Sequence, residues 1–141
     1  MKVRDIMTNH VVSVGKAEPV IAAARLFRTY DVGVLPVCDE RKHLCGIVTD
    51  RDVVLRCIAV GADPQELKVS EIMSPSPVTG QPNDSVEQAA SLMAHSRVRR
   101  LPICDSGKLV GMLSLGDIAA SHNEMEAAKA LCEIASNIYR V

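Results

Sequence analysis

An internal repeat constrains this chain of 141 residues more than any other feature of its sequence. At an offset of 66 residues, VRDIMT at 3–8 corresponds to VSEIMS at 69–74. Later in each copy the offset is 65, and GIVTDRD at 46–52 corresponds to GMLSLGD at 111–117. The single deletion falls in a polar stretch, where a hairpin turn tolerates it. Self-similarity of this kind predicts two copies of one supersecondary unit.

The first copy predicts the element order β-α-β-β-α. A short extended segment at 11–14 precedes a run at 18–31 whose apolar residues recur with helical spacing. Two β-rich runs follow, GVLPVCD at 33–39 and LCGIVT at 44–49. A second helix is predicted over 50–61 and ends at a glycine, a typical C-terminal cap.

The second copy predicts the same order. It has an extended segment at 77–80 and a helix over 84–96, with Asp84 or Ser85 as the N-cap. Two β-rich runs follow, joined around SGK at 106–108. Because about 60 residues bury too little apolar surface for a stable core, the two copies are predicted to pack sheet to sheet about a pseudo-two-fold axis.

The predicted fold class is therefore α/β of the α+β type. Repeat 1 is assigned to 1–64, repeat 2 to 65–121, and a C-terminal amphipathic helix to 122–141. In this last segment apolar residues recur at helical spacing. Because the helix lies outside the repeat, it packs either on its own subdomain or on a partner chain. The apolar positions are Met125, Ala128, Leu131, Ile134, Ala135 and Ile138.

The composition narrows the classes of function. Hydrophobic residues make up 48 %, which is enough for a core without metal or disulfide staples. Aromatic residues make up 2 % and the net charge is −1, so nucleic acid and anionic membranes are not expected partners. No apolar run approaches the roughly 20 residues of a membrane span, and the N-terminus has no secretory pattern. These features predict a soluble cytoplasmic protein.

The cysteines and histidines predict neither a disulfide framework nor a metal site. Five cysteines is an odd number, and with the four histidines they lack zinc-ligand spacing. Cys38 and Cys104 occupy equivalent positions and are expected to be buried as small hydrophobes. Cys38 and Cys45 flank one hairpin, which leaves a redox role as a second possibility. The sequence has no Ser-His-Asp or phosphate-binding-loop pattern, so no enzymatic activity is predicted.

The duplicated elements, taken together, resemble a known family. Each unit has IMT or IMS, then LP within a strand, then Gly-hydrophobic-hydrophobic-Ser/Thr-x-x-Asp. This tandem looks like a pair of cystathionine-β-synthase (CBS) domains, a Bateman module. The resemblance implies a regulatory module, not itself catalytic, that binds AMP, ADP, ATP or S-adenosylmethionine in clefts between the repeats. It also implies homodimers of disc-like shape that modulate an unidentified protein partner; no prediction is made about Mg²⁺.

The hydroxyl and carboxylate groups in GIVTDRD and in GMLSLGD are suited to hydrogen-bond a ribose. Thr49 ends a strand and is a natural N-cap, and the carboxylate of Asp52 can accept two hydrogen bonds from a ribose diol. Ser114 and Asp117 repeat both groups in the second copy. The resemblance assigns nucleotide binding to these four residues. The structural alternative is an ordinary capping box, in which the acidic residue folds back on the cap backbone.

The phosphate and adenine positions follow from the same resemblance. In the family, basic residues just before the LP strand reach phosphates, which points to Arg99 and Arg100. Arg51 is a third phosphate candidate in the first copy. Apolar strand residues are candidates for the adenine slot, with plain core packing as the alternative for each. These residues are Val12, Val34, Pro36, Val78, Pro102 and Ile103.

The two copies differ where Asp50 and Arg51 are replaced by Leu115 and Gly116. The first copy also has no arginine at the positions of Arg99 and Arg100. The prediction is an adenine-nucleotide sensor with two inequivalent pockets. The alternative is a dimeric interaction scaffold whose pockets are vestigial or modulated by cysteine oxidation.

Overall fold

The computed structural model describes residues 1–121 and 123–138, and it confirms the α+β class. Most predicted helices and strands are present within two or three residues of their predicted bounds. In chain order they are β1 (Val14–Gly15), α1 (Val20–Tyr30), β2 (Val34–Cys38), β3 (Leu44–Thr49), α2 (Asp50–Val53, continued by a π-helix at Val54–Ile58), β4 (Ser74–Pro75), α3 (Val86–Ser96), β5 (Arg100–Asp105), β6 (Lys108–Ser114), α4 (Leu115–Ala120) and α5 (Glu124–Ile138).

The chain forms two compact units that do not follow the repeat boundaries. The first unit contains Val12–Pro77 with Gly107–Leu109. The second unit contains Met1–Val11, Val78–Ser106 and the described part of 110–141. We call residues 1–11 of the first repeat and 65–77 of the second the lead-in segments. Each lead-in segment packs with the rest of the other repeat. Sequence similarity and spatial compactness divide the chain at different places.

The first unit is built on a four-stranded sheet in the order β1-β2-β3-β4. β1 runs parallel to β2, and the other two pairings are antiparallel. β4 belongs to the lead-in of the second repeat, and its Ser74 and Pro75 pair with Ile47 and Gly46 of β3. The core of this unit is aliphatic apart from one cysteine. It consists of Val14, Val20, Ala23, Leu35, Val37, Val48, Cys57, Val69 and Ile72.

The second unit has a similar arrangement, but fewer of its residues pair in strands. β5 and β6 form a two-stranded sheet, and Thr8 of the first lead-in forms a bridge to Met112 in β6. The extended segment predicted at 77–80 is reduced to one parallel bridge between Gly80 and Ile103. The core comprises Val3, Val86, Ala89, Ala90, Met93, Leu101, Ile103, Leu113, Ile118 and Ala127.

The two hairpins explain the single-residue deletion between the copies. Ser106 and Gly107 both have positive φ, as a two-residue type I′ turn requires. The first copy uses a longer connection, in which the Asp39 carboxylate accepts hydrogen bonds from the backbone N–H groups of Arg41 and His43. The second connection is three residues shorter and each of its flanking strands is one residue longer, which leaves a net difference of one residue.

Cap residues fix the starts of the long helices. Ser85, rather than Asp84, is the N-cap of α3, and its side chain accepts a hydrogen bond from the backbone of Gln88. The Gln88 side chain in turn accepts one from the Ser85 backbone, at 2.8 Å, which completes a capping box. α1 begins after Pro19, whose ring supplies no donor to the first turn.

A methionine packed on a glycine joins each lead-in to its strand. A Cβ atom placed on Gly46 would lie 2.6 Å from Sδ of Met73, and one on Gly111 would lie 2.5 Å from Sδ of Met7. Only glycine leaves room for a sulfur atom at these distances. The duplicated IM and Gly motifs are therefore the two sides of one contact, each formed between different repeats of the sequence.

α5 packs within its own unit, the first of the two arrangements that the sequence leaves open. It lies against α3 and α4 and buries Ala127, Ala130 and Ile134. Met125 and Leu131 on the same helix remain exposed. The helix was predicted over 122–141; position 122 and positions 139–141 lie outside the described residues. Among the helices of the described residues, none is long and apolar enough to cross a membrane.

We expect Gly111→Ala to lower the free energy of unfolding by about 1–3 kcal/mol, because the new methyl group overpacks against Met7. Gly46→Ala should cost at least as much, because its methyl group would meet the backbone oxygen of Ser74 at 2.8 Å as well as the Met73 side chain. Gly116→Ala is the matched control, since its nearest neighbouring atom is 3.5 Å away and alanine favours a helix. Urea unfolding measures all three. An equal loss of stability in the control would contradict this account.

Candidate functional site

Thr49 and Asp52, the first Thr-Asp pair, form a capping box at the start of α2. The Asp52 carboxylate accepts a hydrogen bond from the Thr49 backbone through Oδ2 at 2.9 Å. The Thr49 hydroxyl accepts one from the Asp52 backbone at 3.1 Å. Both residues are half-buried. The structural alternative considered for this motif is therefore present in the molecule.

Ser114 and Asp117, the second Ser-Asp pair, form the same box at the start of α4. Asp117 Oδ2 accepts a hydrogen bond from the Ser114 backbone at 2.9 Å, and the Ser114 hydroxyl accepts one from the Asp117 backbone at 3.0 Å. Each capping box uses only one of the two carboxylate oxygens. A capping role and a binding role are therefore compatible, because the second oxygen, Oδ1, retains its capacity to accept hydrogen bonds.

The surroundings of Oδ1 differ between the two pairs. In the first pair, Arg56 Nε lies 3.7 Å from Asp52 Oδ1, and Arg56 Nη1 donates a hydrogen bond to the carbonyl of Ile72 at 3.1 Å. The second repeat has Ser121 at the position of Arg56. No ion pair of Asp117 is found within residues 1–121 and 123–138. A ligand at the first pair would have to share its carboxylate with a guanidinium, which is not required at the second.

A cavity of about 550 Å³ in the second unit brings several predicted residues together. Arg99, Arg100 and Ser114 line one part of it. Leu115 and Gly116, the altered letters of the second motif, are also in its wall. A volume of this size accommodates a nucleotide-sized ligand. Both arginine side chains are exposed, so their guanidinium groups are available to an anion.

The rest of the wall comes from α5, and sequence reasoning missed it. Glu124, Ala127, Ala128 and Leu131 line the cavity from the helix that follows the second repeat. The amphipathic pattern of this segment predicted the helix. The pattern contains no signal for which neighbouring groups the helix covers, because alanine and leucine at helical spacing are equally typical of plain packing.

The apolar residues predicted to hold adenine differ in their exposure. Ile103 is fully buried in the core of the second unit, and Pro102 beside it is also buried. Val78 is exposed, at 39 %. In the first unit Val12 and Val34 are half-buried and Pro36 is buried. The side chain of Ile103 is thus committed to packing, whereas those of the three valines are accessible to a ligand.

Pro36 lies where β2 is an edge, as the missing N–H of proline requires. β1 pairs with β2 only at Val37 and Cys38, so Pro36 has a strand partner only on the side of β3, at Ile47. The ladder also shifts register between Val37 and Cys38. Pro36 therefore lies at an edge of β2 and next to a bulge, where no ladder N–H is required of it.

The first copy carries an acidic group where the second has an arginine. The Asp50 carboxylate fills the space beside Gly33, with Oδ2 3.3 Å from the position of a Cβ atom on that glycine. Gly33 corresponds to Arg99 in the second repeat. Arg51, the phosphate candidate of the first copy, is exposed. The sequence shows the substitution, but not that the carboxylate lies next to the point where the missing side chain would begin.

Cys38, Cys57 and Cys104 are buried. The expected burial of Cys38 and Cys104 is thus confirmed. Burial raises the pKa of the Cys104 thiol, which reduces its thiolate fraction and its reactivity. Within residues 1–121 and 123–138, no three His, Cys, Asp or Glu side chains are grouped as metal ligands.

A further cavity, of about 580 Å³, lies in the first unit at the ends of β1 and β2. Lys16, Glu18, Asp39 and Arg41 are among its lining residues. The hydrogen bond from the His43 backbone lowers the pKa of the Asp39 carboxyl, and the one from Arg41 acts in the same direction. None of the predicted site residues lines this cavity. Its mixed charges favour no single class of ligand.

Comparison with known proteins places this geometry in a family. The CBS domain family matches residues 3–58 and 69–123. YhcV of Bacillus subtilis, a CBS domain-containing protein, is 44 % identical over 126 residues, which are 89 % of each protein. Hypoxic response protein 1 of Mycobacterium tuberculosis is 36 % identical over 132 residues, which are 92 % of each.

Solved structures agree with the sequence matches. A crystal structure of hypoxic response protein I, with two coordinated zinc ions, has a TM-score of 0.79 at 35 % identity and covers 85 % of this chain and 98 % of that one. CBSX2 of Arabidopsis thaliana in complex with AMP has a TM-score of 0.75 at 29 % identity and covers 89 % and 98 %. With both repeats matched in sequence and fold, the chain belongs to the CBS domain family and carries two such domains in tandem.

Proposed function

We propose that this protein is a regulatory module that binds an adenine nucleotide and has no catalytic activity of its own. The observation that carries the proposal is the duplicated hydroxyl and carboxylate pair, in which the capping box leaves Oδ1 of each aspartate as a ribose acceptor. The related CBSX2 structure contains AMP. The ligand signal is proposed to act on a protein partner whose activity the module modulates.

The ribose is proposed to hydrogen-bond to the aspartate of each pair. Asp52 and Asp117 are half-buried, so their second carboxylate oxygens are reachable from solvent while partly shielded from it. A buried or half-buried hydrogen bond to a charged acceptor contributes about 1.5–3 kcal/mol. Such a contribution is sufficient to select a sugar with free hydroxyl groups over one that lacks them.

The phosphate is proposed to lie against Arg99 and Arg100. Both line the cavity of the second unit beside Ser114, and both are exposed. Arginine binds phosphate oxygens through two parallel N–H donors, which gives orientation as well as charge. The adenine is proposed to contact an accessible apolar group nearby, for which Leu131 of the cavity wall is suited.

Calorimetric titration with AMP, ADP, ATP and S-adenosylmethionine, with and without Mg²⁺, tests the proposal. We expect AMP to bind, and Asp52→Asn and Asp117→Asn each to weaken binding by about 1–3 kcal/mol at one site. Asparagine is chosen because its amide oxygen can still complete the capping box, whereas its second polar atom is a donor rather than a ribose acceptor.

The control for this titration is 2′-deoxy-AMP. If the aspartates accept ribose hydroxyls, the two Asp→Asn variants should reduce the preference for AMP over its deoxy analogue. A stability measurement accompanies each variant, since loss of a cap costs about 1 kcal/mol and would mimic weak binding. Absence of binding heat for every adenine compound at millimolar concentration would contradict the proposal and favour the interaction scaffold.

We also propose that the protein forms a homodimer through the helix after the first motif. Val54, Leu55, Ile58 and Val60 are large apolar side chains that are each 47–68 % exposed. The first three share one helix face by their spacing. An exposed apolar patch of this kind indicates an interaction surface. A two-fold axis would bring two identical, uncharged patches together, so the net charge of −1 on each chain would lie outside the contact.

We expect Ile58→Asp to convert the dimer to a monomer, because the carboxylate would be desolvated in an apolar interface. Light scattering coupled to size-exclusion chromatography measures the mass. Met125→Asp is the matched control, since Met125 is also a large exposed apolar residue, on α5. Dissociation by the control alone would assign the interface to α5 instead, and a monomeric wild-type protein would contradict the dimer.

A further inference from the structure

The two candidate sites are structurally equivalent, which makes their charges directly comparable. In the first unit the Asp50 backbone N–H donates to the carbonyl of Gly33 at 3.1 Å. In the second unit the Leu115 backbone N–H donates to the carbonyl of Arg99, also at 3.1 Å. The same backbone bond therefore holds the strand and the helix start together in both copies. The side chains at these positions differ while the backbone does not.

Two ionisable groups lie near only one pair each, Arg56 beside Asp52 and Glu124 in the wall of the second cavity. Apart from these, four equivalent positions around the pairs differ in charge between the copies. In the first copy they are Gly33, Val34, Asp50 and Arg51, whose one acid and one base cancel. In the second copy they are Arg99, Arg100, Leu115 and Gly116, which carry two positive charges and no acid. The Arg99 and Arg100 side chains line a cavity, together with the Ser114 hydroxyl.

The position of Asp50 adds repulsion to the absence of arginines. Its carboxylate lies beside Gly33, in the space where a side chain corresponding to Arg99 would begin. An anion bound there would face a carboxylate within a few ångströms, instead of a guanidinium. Leu115, the counterpart of Asp50, is half-buried and uncharged. Like charges at such distances are unfavourable even near the protein surface.

We propose that the two sites select ligands of different charge, with Asp50 and Leu115 as the residues that determine the difference. The second site, at Ser114 and Asp117, takes a phosphorylated adenosine. The first site, at Thr49 and Asp52, takes an adenosine derivative without a phosphate. This inference rests on the proposed function, because it assumes that both aspartates hold a ribose.

Reciprocal substitutions test the inference. Asp52→Asn isolates the second site, and in that background Leu115→Asp should weaken AMP binding about fivefold while leaving adenosine within about twofold. Asp117→Asn isolates the first site, where adenosine should bind at least as tightly as AMP. In that background Asp50→Leu should strengthen AMP binding by a similar factor. The effects on AMP affinity should be smaller in about 0.5 M salt, because interactions between surface charges are then largely screened.

Ala120→Asp is the matched control, because it adds the same charge at an exposed position of α4 outside the cavity lining. It should change AMP affinity by less than about twofold. Equal preference for AMP over adenosine at both isolated sites, or equal weakening by Leu115→Asp and Ala120→Asp, would overturn the inference while leaving the proposed function intact. No binding of either compound to the wild-type chain would overturn the proposed function itself.

Discussion

The fold depends on the packing of each repeat's lead-in against the body of the other repeat. Val69 and Ile72 are fully or almost fully buried in the core of the first unit, and Val3 is fully buried in that of the second. Burial of one such side chain contributes about 1.5–3 kcal/mol, a large fraction of the stability of a unit of about 70 residues. Neither repeat, cut at its sequence boundary, would retain all the residues of its own core. Duplication is therefore a structural requirement of this chain as well as a record in its sequence.

The helices and strands could be predicted from the sequence because local rules determine them. Apolar periodicity located α1 and α3, and proline, glycine and serine marked where elements begin or turn. The exchange of lead-ins could not be predicted. In sequence, Met7 could contact either Gly46 of its own repeat or Gly111 of the other repeat. Both contacts pair a methionine with a glycine, so the sequence motifs are the same in the two arrangements. Only the three-dimensional contact of Met7 with Gly111 distinguishes them.

The candidate site shows a similar division. The motif located Thr49, Asp52, Ser114 and Asp117 at helix starts, where the structure places them. Sequence reasoning treated the capping box and ribose binding as alternatives because both use a hydroxyl and a carboxylate three residues apart. The geometry removes the conflict, since one oxygen caps the helix and the other remains an acceptor. The wall contributed by α5 was beyond prediction, because it depends on how a segment outside the repeat packs.

The equivalence of the backbone explains how one fold can hold two different sites. The bond between the residue before the LP strand and the first residue of the helix is the same length in both copies, and it involves no side-chain atom. Side chains at these positions are exposed or half-buried, so they have little role in the core and little cost when exchanged. By contrast, Met7 and Gly111 are in direct contact, so a change at either residue is expected to lower stability unless the other changes with it. The residues that determine ligand charge, Asp50 and Leu115, are therefore expected to vary. The glycine and methionine that pack each lead-in segment against its unit are not.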